Sequence, residues 1–330
     1  MSLTGFFKHV FHAQWIAKVP EQSVSFANQT VIVTGANSGL GLEAAKYMLT
    51  HEASRVIIAC RSMSKGEHAK QALEAQHGRT GVLHVWQLDL TSYDSIKSFA
   101  ARVGSELDRL DVLICNAGIN SPRFHTVNGL ESQIAVNVVS TFLLSLMLLP
   151  KLKQTAVAHS ESTPHLAIVS SDTHMTVTLD KQHRDKDVPI LAQLSDKRKF
   201  LGPFSYPTSK LLDVLLTFQL AKHVGSDYPV IINTMNPGLC KSELTRSSPS
   251  AVIAITNALF HAREPEIGVR SYIFGVSAGR ELHGKYISDA MVGNLGIGAK
   301  GPLAEEIGHR VWLELIDILE KVEPGIMSRL

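Results

Sequence analysis

From residue 30 onward, apolar positions alternate between two spacings. Short runs of β-branched and aliphatic residues occur at TVIVTG (30–35), SRVIIACR (54–61), VLHVWQLD (82–89) and DVLICNAG (111–118). Between them lie longer segments in which apolar residues recur every three or four positions: LGLEAAKYMLTH (40–51), SKGEHAKQALEAQ (64–76) and SYDSIKSFAARVGSEL (92–107). The first pattern predicts buried strands and the second predicts helices, with connections short enough for parallel crossovers. The alternation continues through an apolar helix over 132–149, strand HLAIVSS (165–171), helix SYPTSKLLDVLLTFQLAKHV (205–224) and strand VIINTMNPG (230–238). A further helix is predicted near 249–263 and a late strand at GKYIS (284–288). The fold class is therefore α/β: a doubly wound, mostly parallel Rossmann sheet flanked by helices, in one domain over 30–290.

Three segments fall outside that alternation. In residues 1–29, Leu3, Phe6, Phe7, Val10 and Phe11 sit at helical spacing and predict a short amphipathic extension that packs on the body, covers a ligand pocket or touches a membrane surface. It lacks the uninterrupted apolar core of a secretory signal. Residues 172–200 are polar and charged and leave the sheet at the carboxyl end of a strand, where an insertion either edges a ligand crevice or forms a solvated loop. Within and around it, Met175, Val177, Leu179 and Ile190 predict an apolar pocket interior with a solvated rim. Residues 291–330 contain LAEEIGHRVWLELIDILEKV, an amphipathic helical tail. The uncharged stretch between Glu131 and Lys151 includes Gln133, Asn137 and Ser140 and reaches Pro150, which fits a buried helix better than a membrane span.

Composition excludes several functions. The 330 residues carry 32 basic and 30 acidic side chains, a formal charge of +2 that gives nucleic acid no electrostatic footing. Three widely spaced cysteines, Cys60, Cys115 and Cys240, indicate neither a disulfide framework nor a CxxC site. Fifteen histidines include no HExxH or similar cluster, so no metal is expected. The cytoplasm is the default location, with peripheral membrane association open through the N-terminal helix.

The chemistry starts at VIVTGANSGLG, 31–41. Gly35, Gly39 and Gly41 form a GxxxGxG run between the first strand and the first helix. A side chain at these points obstructs the tight turn, the approach of a phosphate or helix–strand packing. The turn Gly35, Asn37, Ser38, Gly39, Leu40 and Gly41 thus presents free N–H groups at a helix start to an anion. After the second strand, VIIACRSMSKG has no carboxylate before Glu67 to meet ribose hydroxyls. Arg61 is placed to meet a 2′-phosphate, with Ser62 or Lys65 assisting, which favours NADP(H) over NAD(H). Further along, Tyr206 and Lys210 share one helix face at i and i+4, and the ammonium is expected to lower the phenol pKa. Asn137 lies amid apolar neighbours and must find partners for its amide.

In these motifs the chain resembles the classical short-chain dehydrogenase/reductase family over residues 30 to about 290. Within the family, ACR after the second strand, YPTSK and GKYISD are most similar to the retinol-dehydrogenase-like branch and its fungal relatives. The resemblance implies that Asp89 and Leu90, in QLDLTS, border the adenine. It implies that Asn116, Ala117 and Gly118 support the central strand beside the cofactor. Pro237 and Gly238 would lie near the nicotinamide, with Ser242 at the family's threonine position. It further implies catalysis by Asn137, Ser171, Tyr206 and Lys210. Ser171 binds the substrate oxygen, Tyr206 is the acid/base, Lys210 also holds the nicotinamide ribose, and Asn137 keeps a relay water. Ser170 is the structural member of the serine pair. The chain departs from the family in separating Ser171 from Tyr206 by 35 positions and in placing Pro207 directly after the tyrosine.

The implied function is NADP(H)-dependent reduction of a ketone or aldehyde of an apolar, medium-sized metabolite to an alcohol. The alternatives are a redox-neutral cyclase, isomerase or dehydratase on the same fold, or a non-catalytic NADP(H)-binding protein. The motifs do not distinguish a retinoid, steroid, polyketide or another secondary metabolite. The resemblance also implies a homodimer through the 132–149 and Tyr206 helices, or a monomer if the N-terminal extension blocks that pairing.

Overall fold

The computed structural model describes residues 11, 14, 15, 18–179, 185–241 and 261–330. The predicted N-terminal helix falls mostly outside these residues, and the helix near 249–263 falls mostly outside them.

Strands β1 (Thr30–Thr34), β2 (Arg55–Cys60), β3 (Leu83–Gln87) and β4 (Val112–Cys115) alternate with helices α1 (Gly39–Thr50), α2 (Met63–His77) and α3 (Tyr93–Glu106). A two-residue hairpin, β5 (Thr126–Val127) and β6 (Leu130–Glu131), comes next and was not anticipated from the sequence. A π-helical turn over Ile134–Ser140 runs into α4 (Thr141–Ala158), followed by β7 (His165–Val169), the short α5 (Ile190–Leu194) and α6 (Ser205–Val224). The chain then forms β8 (Ile231–Asn236), α7 (Pro265–Ser277), β9 (Tyr286–Ser288), β10 (Met291–Val292) and α8 (Gly301–Val322).

Eight strands form one sheet in the order β3-β2-β1-β4-β7-β8-β9-β10. Every pairing is parallel except β9 with β10. The order reverses between β1 and β4, which opens a crevice at the carboxyl ends of these strands. The strand period of two sorts the core. Ile32 of β1 faces Phe142, Leu146 and Leu216 on one side, while Val31 and Val33 face Ala44, Met48 and Ile273 on the other.

Pro150 does not end its helix. The sequence places the boundary at 149, yet α4 continues to Ala158. Leu152 and Thr155 are buried on the same face, and the Thr155 hydroxyl accepts the Leu110 N–H at 2.8 Å, so packing outweighs the lost main-chain bond. The segment Ile134–Ala158 is long and apolar enough to cross a membrane, but 83% of its most apolar window is buried in the fold. Pro207 is accommodated in the first turn of α6, where its missing N–H has no intrahelical partner to lose.

The 172–200 insertion, so far as it is described, packs onto α8. The Glu314 carboxylate accepts the N–H groups of Ile190 and Leu191 at 2.8 and 2.9 Å, capping α5 from another helix. Met175, Leu179 and Ile190 are core residues and Val177 packs against them, so the expectation that they line a pocket is corrected. Residues 172–176 pack on α6 and the 297–299 turn, and α5 packs on α8.

Candidate active site

The glycine turn fits a phosphate-bearing ligand on its own geometry. Gly35 and Gly39 have φ of 67° and 55°, a conformation costly for other residues. A Cβ on Gly41 would stand 2.6 Å from the Gly35 carbonyl oxygen and 2.6 Å from the Asn116 amide. Ser38 is the N-cap of α1, yet its side chain makes no capping bond, which leaves the first N–H groups available to an anion. Asn37 and Leu40 are partly exposed beside it.

Asn116 braces this turn. Its amide donates to the Thr34 carbonyl at 2.8 Å and its carbonyl accepts from the Tyr272 hydroxyl at 3.1 Å. The Ala117 N–H binds the Thr34 hydroxyl at 2.9 Å. Arg61 follows β2, is exposed, and has no hydrogen-bond or ion-pair partner among the described residues. Ser62 instead caps α2 by accepting the Lys65 N–H at 3.4 Å. Asp89 Oδ1 accepts the Thr91 N–H and hydroxyl at 2.9 and 2.7 Å, so this oxygen is committed to the turn that follows β3. The Leu90 side chain is in the core, so only its backbone remains for a ligand.

The reacting groups converge from β7 and α6. Ser170 donates to the Lys210 carbonyl at 2.8 Å, a purely structural bond. The Ser171 hydroxyl, by contrast, accepts the Thr173 N–H at 3.2 Å and lies close enough to the Tyr206 phenol to lower its pKa. The long insertion therefore does not separate serine from tyrosine in space, because it leaves and returns at one end of the sheet. Lys210 Nζ lies 5.8 Å from the Tyr206 ring centre and donates to the Val169 carbonyl at 2.8 Å and to Asp213 Oδ2 at 2.9 Å. A Cβ on Gly118 would lie 3.1 Å from Asn137 Oδ1 and 3.8 Å from Lys210 Nζ. Asn137 sits in the π turn, a frequent feature of functional helices. Its carbonyl accepts the Ile119 N–H at 2.8 Å, and its amide donates to the Ile119 carbonyl and the Ser209 hydroxyl at 2.9 and 3.0 Å.

The phenol departs from expectation. Burial pushes the Tyr206 pKa up; Lys210 pulls it down, Asp213 pushes it up again, and the net displacement is above the ordinary tyrosine value. The ammonium does not prevail because burial is the larger influence and Asp213 offsets its charge. Burial pulls the Lys210 ammonium down, but Asp213 and Tyr206 outweigh it and hold the pKa above the usual lysine value. Both groups are thus protonated at neutral pH.

Several functional neighbours escaped sequence reading. His174 is fully buried; its Nδ1–H donates to the Ser171 carbonyl at 2.7 Å and its Nε2 accepts the Gly296 N–H at 3.2 Å. This ties Ser171 to the chain before α8. Asn236 accepts the N–H groups of Asp172 and Gly238, each at 3.0 Å. The Pro237 carbonyl accepts from buried Arg263, which pairs with Asp289 at 2.7 Å. Gly238 has φ of 78°, and a Cβ there would meet Arg263 and Gln14. Gln14, buried, brings the N-terminal segment to this turn, and the Trp15 ring meets the His261 ring at a tilt, with centres 4.7 Å apart. Ser242 lies outside the described residues. All three cysteines are free and buried, and no metal-binding cluster occurs among the described residues.

Comparison with known proteins places this arrangement. A family model for short chain dehydrogenases matches residues 29–173. Short chain dehydrogenase/reductase dmxR8 of Cryptosporiopsis sp. is 40% identical over 324 residues, covering 96% of this chain and 98% of that protein. Short chain dehydrogenase sol3 of Alternaria solani is 40% identical over 288 residues, covering 87% and 97%. An NADPH-bound carbonyl reductase from chicken fatty liver shares the fold, with a TM-score of 0.61 at 22% identity over 81% of this chain and 99% of the other. With relatives this similar along nearly its whole length, the chain belongs to the short-chain dehydrogenase/reductase family.

Proposed function

We propose that the protein is an NADP(H)-dependent carbonyl reductase acting on a ketone or aldehyde of an apolar, medium-sized metabolite. The observation that carries this reading is the Ser171–Tyr206–Lys210 constellation at the carboxyl ends of the strands, with its phenol held protonated. When bound, the reduced nicotinamide supplies the hydride. Ser171 and Tyr206 then fix the substrate oxygen, and the Tyr206 O–H gives its proton to that oxygen as negative charge develops. Lys210 stabilises the resulting phenolate, and Asn137 fixes the Ile119 peptide beside it. The same phenolate takes the proton back in the reverse reaction, so the tyrosine serves either direction.

The preference for NADP(H) rests on Arg61, which is exposed and without a partner at the end of β2, where no carboxylate stands. Proteins of this fold include an NADPH-bound carbonyl reductase from chicken and a 3-ketoacyl-(acyl-carrier-protein) reductase from Brucella melitensis complexed with NADH, so the choice stands on Arg61 and not on the fold. Purified protein should consume NADPH with a panel of apolar ketones and aldehydes, and each product should be two hydrogens heavier than its substrate. Products of unchanged mass would instead establish an isomerase or cyclase, and binding without turnover would establish a nucleotide-binding protein. R61A should weaken NADPH binding by roughly tenfold while leaving NADH nearly unchanged; equal losses would refute the phosphate contact.

A further inference from the structure

Asp213 stands where the apolar pattern of α6 calls for an aliphatic residue, between Leu212 and Val214. It is 1% exposed. Its Oδ2 accepts from Lys210 Nζ at 2.9 Å, while Oδ1 is buried and has no hydrogen-bond partner. A carboxylate in such a place is costly, and a neutral side chain of that size would fill the same space. Two of the three Lys210 protons are taken by Asp213 and the Val169 carbonyl, so the ammonium is held in place and its charge is partly compensated.

We propose that Asp213 is a positioning residue that fixes Lys210 and cancels part of its field, so that Tyr206 stays a proton donor rather than a phenolate. This rests on the carbonyl-reductase reading and deepens it by naming the group that holds Lys210 in place and tunes the proton held by Tyr206. The groups facing the pair come from several elements. Cys115 of β4, hydrogen-bonded to Ser145 of α4, lies within the electrostatic reach of both Asp213 and Lys210. Tyr206 also faces Ser171 and Asp172 beyond β7, and Tyr272 of α7 lies within its field. Cys115 is neutral near pH 7, since burial pushes its thiol up to about 12. Asp172 remains as the other acidic influence and is unchanged by substitution at 213.

The test is an ultraviolet titration of tyrosine ionisation in the cofactor-free protein, with the Tyr206 step isolated by subtracting the Y206F curve. In D213N, referenced to D213N/Y206F, that step should move down by about one pH unit, the scale of one nearby charge in a medium of intermediate dielectric. D213S carries the same prediction if the asparagine variant does not fold. D213E, which restores the charge, should return the step toward the parent position. In turnover, the alkaline limb of kcat/KM for carbonyl reduction should shift to lower pH in D213N by the same amount. An unmoved or raised tyrosine step in the charge-neutral variants overturns the proposal. Should no carbonyl be reduced by any form, the functional reading fails while the titration still decides the role of Asp213.

Discussion

Replacing Gly41 with alanine tests whether the phosphate turn is closed by packing as tightly as the structure indicates. The new methyl group would lie 2.6 Å from the Gly35 carbonyl oxygen, 2.6 Å from Asn116 Nδ2 and 3.0 Å from Ala36 Cα. All three are well inside the ~3.5 Å at which such atoms rest. The amide cannot swing away freely, because it donates to Thr34 and its carbonyl accepts from Tyr272. Releasing those bonds costs about 1 kcal/mol each. Moving α1 off the turn instead costs about 1–3 kcal/mol of overpacking. Either route gives a destabilisation of about 1–3 kcal/mol, a sizeable share of the roughly 5–15 kcal/mol that holds a domain folded. Thermal melting should fall by about 2–5 °C, and the displaced turn should bind NADPH more weakly. Gly104 is the control: it lies in α3 with nothing within 4 Å of an added Cβ, so G104A should stabilise by about 0.5–1 kcal/mol. A G41A protein that melts and binds nucleotide like the parent would refute the close-approach argument.

Removing the Glu314 carboxylate (E314A) leaves two N–H groups of α5 without their acceptor, which should cost about 2 kcal/mol and speed proteolytic cleavage around 185–200; unchanged denaturation and cleavage would show that α8 does not hold the insertion. The dimer expected from the sequence lacks its faces: α4 and α6 are buried within the chain, and α8 lies on α6 through the Lys222–Glu305 ion pair and the His223–Trp312 contact. Light scattering at micromolar concentration should therefore give the monomer mass, and a stable dimer would refute that reasoning. Burial pushes the Asp213 carboxyl up from 3.8 to about 6, with Lys210 opposing. Because the folded value lies above the unfolded one, this group's contribution to stability is complete below pH 4 and is lost as pH rises through 6. D213N should remove that slope from denaturant midpoints measured between pH 4 and 7, and parallel curves for the two proteins would contradict it.

The alternation of strand and helix was legible because each element announces itself locally. Val31, Ile32 and Val33 are continuous because both faces of β1 are covered, and Ile96, Phe99 and Val103 recur at helical spacing because only one face of α3 is. The glycine turn was equally legible, since its spacing encodes a steric requirement of the backbone. Tyr206 and Lys210 were visible as a pair on one helical face. The hairpin at 126–131 was not, because two-residue strands leave no period to read.

Asp213 was in view throughout, three residues beyond Lys210, but the sequence gives no measure of how much it matters. Its weight comes from burial by β4, α4 and α6 together, and burial is a sum over segments distant in sequence. The same sum reversed the expected displacement of the Tyr206 phenol, carried α4 past Pro150 and turned Met175, Leu179 and Ile190 inward. Local steric and periodic rules therefore determined the elements and their order, and the family resemblance named the candidate reacting groups. Only the tertiary structure decided their charge states and which apolar faces remain free, because desolvation and packing depend on everything that surrounds a group and not on its neighbours along the chain.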